Sequence, residues 1–160
     1  MSTFDISETL APNSDQLDAI ELVAGPRIFI IANVAKGSAE QPVDIHFANF
    51  PRPWRPSKGM RRVLANCWGV DASQWATRAV ELFFDPEVTF GKDKPGGTRI
   101  SRLSHIDKPV RTPLLVARGK SAVFVVDPLP RADILRAEWV GATPERRAEI
   151  EAEMAGGASA

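Results

Sequence analysis

Cysteine, histidine and tyrosine are scarce in this chain, which has 160 residues, one cysteine, two histidines and no tyrosine. The lone Cys67 excludes an internal disulfide, and no Cys/His spacing typical of a structural zinc site occurs. No segment approaches the ~18 apolar residues of a membrane span, and the N-terminus lacks a basic stretch followed by an apolar run. We therefore expect a cytoplasmic protein.

The common catalytic and cofactor-binding motifs are also missing. The chain contains no Gly-x-Ser-x-Gly, no His-Glu-x-x-His and no dinucleotide-binding glycine pattern. The glycine-rich stretch 91–97 is not a P-loop, because Thr98 follows it where Lys-Ser/Thr would be required. Cys67 falls on the apolar face of a predicted helix, which is typical of a buried small hydrophobe rather than a nucleophile. We expect neither an enzyme nor a bound cofactor.

Charge is abundant and segregated, although the formal net charge is zero. Residues 1–25 carry five acids and no Lys or Arg, residues 26–131 carry 17 bases against nine acids, and residues 132–160 carry three bases against six acids. Lengths and charges together predict an acidic N-terminal arm (1–25), one basic domain (26–131), and an acidic C-terminal helix with a flexible tail (132–160).

The basic domain has the pattern of a β-rich fold. Strands are predicted from β-branched and aromatic runs separated by turn residues, at 28–34, 43–50, 79–84, 88–90 paired with 98–103, 112–117 and 122–126. Ser57 is a candidate N-cap for a helix with apolar residues at i, i+3, i+4, i+7 and i+8 from Met60, ending at Gly69. Thr143-Pro144 is expected to open a last helix through residues 145–154.

These elements predict a mainly β protein with minor α. We expect a small OB-like barrel with one inserted helix and a C-terminal helix. A sandwich with the helix packed on one open end remains the alternative.

The strongest functional signal is the cationic stretch from Arg52 to Arg62, which includes most of the proline-rich loop 51–56. It contains five cations and no acid, with the aromatic residues Phe50 and Trp54 interleaved, and it favours phosphate neutralisation combined with base stacking by Trp54. A glycine-rich hairpin at 91–97 adds a basic finger. The predicted nucleic-acid-binding residues are Arg52, Trp54, Arg55, Lys58, Arg61, Arg62, Lys92, Lys94, Arg99 and Arg102. The alternative is a solvated basic face with a tryptophan in the core.

Two His–Asp pairs, Asp44/His46 and His105/Asp107, lie two residues apart, which on a strand places both side chains on one face. Together they give a minor hypothesis of a metal-dependent nuclease. No glutamate cluster joins them, so we expect no metal site.

Motifs distributed over residues 25–129 carry a family resemblance. They are Gly25-Pro26-Arg27, Gln41-Pro42-Val43, Trp54-Arg55-Pro56-Ser57-Lys58, Met60-Arg61-Arg62-Val63-Leu64, Trp68-Gly69, Asp85-Pro86, Gly96-Gly97, Arg99-Ile100-Ser101 and Ser104-His105-Ile106-Asp107-Lys108-Pro109. In these the chain resembles a family of small proteins of actinobacterial tailed bacteriophages, which is in turn distantly similar to phage OB-fold single-stranded-DNA-binding proteins. It departs from that pattern at Thr77, Phe83 and Thr98.

The resemblance implies a non-sequence-specific single-stranded-DNA-binding protein of phage replication or recombination, located in the host cytoplasm. The acidic ends are expected to fold back on the basic face or to recruit replication or recombination proteins. The rival is a self-associating interaction or virion-assembly protein whose basic centre and acidic ends pair between copies.

Overall fold

The computed structural model describes residues 5–6, 14–88, 96–117 and 119–158. Within them the protein is mainly β with minor α, as predicted. The strands are β1 Arg27–Lys36, β2 Val43–Phe47, β3 Ala79–Asp85, β4 Gly97–Leu103, β5 Val110–Ala117 and β6 Lys120–Pro128. The helices are α1 Lys58–Trp68, α2 Arg131–Trp139 and α3 Pro144–Ala158, with short 3-10 turns at Ala19–Leu22 and Ala72–Gln74.

The six strands form one mixed sheet in the order β2-β1-β3-β4-β6-β5. Neighbouring strands are antiparallel except β4 and β6, which are parallel and pair only at Arg102 with Asp127 and Leu103 with Pro128. Across the described residues the sheet is open, with β2 and β5 at its edges.

Helix α1 forms as its local pattern predicts. Ser57 Oγ accepts a hydrogen bond from the Met60 N–H at 3.3 Å, and Gly69 ends the helix at φ 87°, a conformation that favours glycine. The apolar stripe of Met60, Val63 and Leu64 is buried. Met60 Sδ also accepts the Ile100 N–H at 3.4 Å. Helix α1 therefore lies beside β4 at a residue that β3 pairs with but β6 does not.

One main core holds the sheet, α1 and the N-terminal segment together. Leu17 and Leu22 are buried in the same cluster as Phe29 of β1 and Leu82 of β3. Leu17 also donates its N–H to the Pro53 carbonyl at 2.8 Å. The residues from 14 to 25 are therefore packed as part of the folded unit, and this part of the acidic segment lies against the basic domain.

Two features of the fold were not predicted. Strand β4 pairs with β3, for example Phe84 with Thr98. The predicted pairing of 98–103 with the stretch 88–90 involves residues 89 and 90, which lie outside the described residues. Helix α2 was not predicted, because its nine residues show no clear amphipathic period; only Ile134 and Leu135 are buried.

The predicted helix after Thr143 is present as α3, and the Thr143 hydroxyl accepts the Arg146 N–H at 3.1 Å. Ile150 of α3 is buried. In the described part of the chain, every helix is too short or too polar to cross a bilayer.

Candidate nucleic-acid interface

A cleft of about 570 Å³ opens between the proline-rich loop, the first turn of α1 and the start of β4. The prolines keep the loop extended, and an antiparallel bridge between Trp54 and Ile45 attaches it to β2. The cations that line the cleft are Arg55, Lys58, Arg61 and Arg99, and Glu40 is the acid among its described lining residues. The structure therefore brings four of the ten predicted site residues into one cationic recess.

Trp54 does not lie on the surface. Its side chain is 1% exposed in the main core, and its indole N–H donates to Thr98 Oγ1 at 2.9 Å. A ring packed on all sides has no free face for a nucleobase, so the predicted stacking role of Trp54 is wrong in this conformation. Its place is that of a core residue that anchors the loop beneath the cleft.

Arg52 also lies outside the cleft. Its guanidinium donates to the Gln16 carbonyl at 2.7 Å, makes an ion pair with Glu21, and lies 3.8 Å from Asp18 Oδ2. It also stacks 5.2 Å from the centroid of Phe50. With its donors used in this way, Arg52 joins the N-terminal segment to the loop and offers little to an external phosphate.

Arg55 is held by two carboxylates. Its Nε donates to Asp44 Oδ1 at 3.0 Å, while its terminal nitrogens donate to both oxygens of Asp15, at 2.8 and 3.3 Å. These hydrogen bonds and the nearby positive charge lower the pKa of Asp15. Arg55 thus lines the cleft, and its guanidinium is held and neutralised by two carboxylates.

The cations of α1 differ from the arginines of the loop. Lys58, Arg61 and Arg62 lie at i, i+3 and i+4 and share one helix face. No ion pair joins any of them to a carboxylate of the described chain. Arg61 Nε is buried without a hydrogen-bond partner there. Arg62 is exposed and does not line the cleft.

Arg99 and Arg102 have separate surroundings. Arg99 lines the cleft, 3.2 Å from Asp85 Oδ2 and 5.8 Å from the centroid of Phe124. Arg102 is not a cleft residue, because it donates to Glu81 at 2.6 Å and to Asp133 of α2 at 3.0 Å. Arg102 therefore joins β4 to β3 and α2.

The predicted hairpin cations Lys92 and Lys94 lie outside the described residues. Val88, the last described residue before this stretch, and Gly97, the second described residue after it, line the cleft. Gly96 has φ 77°, and a Cβ atom there would overlap the ring of Phe84, so glycine is required at this turn.

The two His–Asp pairs form no common site. Asp44 is committed to Arg55, and His105 Nδ1 lies 2.7 Å from the buried Ser104 Oγ. Desolvation, with Arg78 and Arg131 nearby, lowers the pKa of His105. Across the residues that the structure describes, no group of three or more His, Cys, Asp or Glu side chains is arranged to hold a metal ion.

Sequence reasoning did not identify Asp15, Asp44 and Thr98 as partners of the predicted site residues. The opposite charges of segments 1–25 and 52–62 indicated that the two segments attract each other. They did not indicate that Asp15 would be the residue that contacts Arg55. Nothing local to Thr98 indicated its bond to Trp54, 44 residues away.

Comparison with protein-family models, curated proteins and solved structures finds no match to the chain. The cleft itself indicates what it can bind. It offers guanidinium and ammonium donors on two walls, with the unpaired donors concentrated on α1, and such an arrangement suits an extended polyanion.

Proposed function

We propose that the protein binds single-stranded nucleic acid, DNA in the first instance, without sequence specificity, through phosphate contacts in the cationic cleft. The observation that carries the proposal is the convergence of Lys58 and Arg61, which have no carboxylate partner in the described chain, with the preoriented Arg55 and Arg99. Phosphate contacts position a strand without reading its bases.

An OB-like fold is the second part of the proposal. The strand order β1-β3-β4-β6-β5, with β4 and β6 parallel, supports it. The five strands of an OB barrel follow one another in the same order around the barrel. Helix α1 packs against the edge strand β5. In such a fold the cleft would adjoin the face of the second and third barrel strands, which is the usual binding surface.

A single strand suits the recess better than a duplex. Duplex DNA is stiff over about 150 base pairs and presents its phosphates on a convex surface. A single strand can bend its backbone into a recess between a loop and a helix. The resemblance to phage proteins supports a role in phage DNA replication or recombination, with the remaining acidic surface available to other proteins of that process.

The structure gives less support to the alternative of self-association. Asp15, Asp18 and Glu21 are paired with arginines of the same chain, and Glu153 pairs with Arg131 at 2.8 Å. Acids paired within one chain would have to leave their arginines before they could pair with a second copy.

The test is an equilibrium titration of a labelled oligothymidylate of about 30 nucleotides at low salt, followed by fluorescence anisotropy. We expect the double variant Lys58→Ala/Arg61→Ala to bind at least about tenfold more weakly than the wild type. The matched control, Lys108→Ala/Arg111→Ala, removes two exposed cations that do not line the cleft. Equal loss in both variants, or no binding by the wild type, contradicts the proposal.

A further inference from the structure

The two carboxylates on Arg55 occupy different edges of its guanidinium. Asp44 accepts from Nε at 3.0 Å, on the side edge. Asp15 accepts from both terminal nitrogens with both of its oxygens, on the end edge. A phosphate group binds arginine with this same bidentate geometry.

The two carboxylates also differ in how firmly they are held. Asp44 lies on β2, and its side chain is 18% exposed. The side chain of Asp15 is 82% exposed and lies on a bend. The backbone that follows this bend does not need to unfold for Asp15 to leave Arg55, since Leu17 and Leu22 anchor it in the core.

We propose that Asp15 occupies the place of a backbone phosphate on Arg55, so that this carboxylate competes with the bound strand, and that Asp44 is the positioning residue that keeps Arg55 aimed at the cleft. The inference rests on the function proposed above. Among the acids of residues 14–25, it assigns the regulation to one side chain, because Glu21 and Asp18 hold Arg52 outside the cleft.

An effect of net charge alone would change the binding affinity differently from competition by Asp15 and positioning by Asp44. Asp15→Asn and Asp44→Asn each remove one negative charge near the cleft, so a charge effect predicts that both variants bind more tightly. Competition and positioning predict opposite results. Asp15→Asn frees the end edge of Arg55, whereas Asp44→Asn weakens its alignment.

The experiment is the oligothymidylate titration at low salt with the full chain. We expect Asp15→Asn to bind about threefold more tightly than the wild type, and Asp44→Asn to bind no more tightly. Asp107→Asn, an exposed acid that does not line the cleft, is the matched control and should bind as the wild type does. Thermal unfolding of each variant establishes that it is folded.

Each outcome decides between the two proposals. If the wild type binds and Asp15→Asn binds no more tightly than Asp107→Asn, the competition is absent while the proposed function stands. If Asp44→Asn tightens binding as much as Asp15→Asn, its positioning role is wrong. If neither the wild type nor Asp15→Asn binds at low salt, both the function and the inference are overturned.

Discussion

Trp54 donates its indole N–H to Thr98 Oγ1 across 2.9 Å and thereby joins the proline-rich loop to the first residues of β4. Thr98 lines the cationic cleft, and Trp54 anchors the loop that forms another of its walls. Because the ring is 1% exposed, its contribution is to the stability of the cleft and not to contact with a base.

Replacement of Trp54 therefore tests a structural role. We expect Trp54→Ala to lower the free energy of unfolding by about 3–5 kcal/mol, the usual cost of truncating a buried aromatic side chain. Urea denaturation followed by circular dichroism measures it. A variant that keeps wild-type stability but loses nucleic-acid binding would restore the stacking role.

The partner of Trp54 gives a finer test. Thr98→Val removes the acceptor and leaves a buried indole N–H unsatisfied, which should cost about 1–3 kcal/mol. Thr98→Ser retains the hydroxyl and is the control, with a smaller loss expected. Equal stability of the Val and Ser variants in urea would show that the hydrogen bond contributes nothing.

Arg102 should behave as a structural cation. Its removal leaves Glu81, whose side chain is 12% exposed, without its main partner. Allowing for the 30% exposure of Arg102, we expect Arg102→Leu to cost about 2 kcal/mol in urea unfolding. Oligonucleotide affinity of the folded variant should not change. A large loss of affinity with intact stability would instead place Arg102 in the binding site.

The same ion pair predicts how stability depends on pH. The hydrogen bond from Arg102 is the largest cause of the lowered pKa of Glu81, and it outweighs the opposing effect of burial. The contribution is therefore complete above the pKa of Glu81 in the unfolded chain and is lost as pH falls through the lower pKa of the folded state. We expect Glu81→Gln to flatten the acidic side of the stability profile. An unchanged profile in urea titrations between about pH 6 and pH 3 would contradict this.

Cys67 should react slowly. Burial raises the pKa of its thiol to about 11, so little thiolate forms at mildly alkaline pH. We expect alkylation by iodoacetamide at pH ~8 to be at least about tenfold slower in the folded protein than in urea. Mass spectrometry of timed samples measures the rate. Equal rates would show that the thiol is open to solvent.

The parts of the fold that were predictable depend on local pattern. Helix α1 carries its own cap at Ser57, its own stop at Gly69 and a regular apolar period, so neighbouring residues suffice to specify it. Helix α2 lacks such a period, and its place is decided by burial of Ile134 and Leu135 against other elements. The pairing of β4 with β3 could not be predicted, because strand pairing depends on contacts between residues that are distant in sequence.

The candidate site was predictable in its residue types but not in its arrangement. The spacing of Lys58 and Arg61 placed them on one helix face, and the structure has them there. The face of the loop that Trp54 occupies depends on Ile45 and Thr98, which are distant in sequence. Similarly, the pairing of Arg52 with Glu21 spans 31 residues.

The measurement that tests the central claim most directly is the salt dependence of single-stranded DNA binding. With four cleft cations in contact with phosphates, the logarithm of the association constant should fall with the logarithm of salt concentration with a slope of about −3. Lys58→Ala/Arg61→Ala should reduce that slope to about half. A wild-type protein that binds no single strand at low salt, or a slope that the double variant leaves unchanged, would contradict the claim that this cleft binds the phosphate backbone.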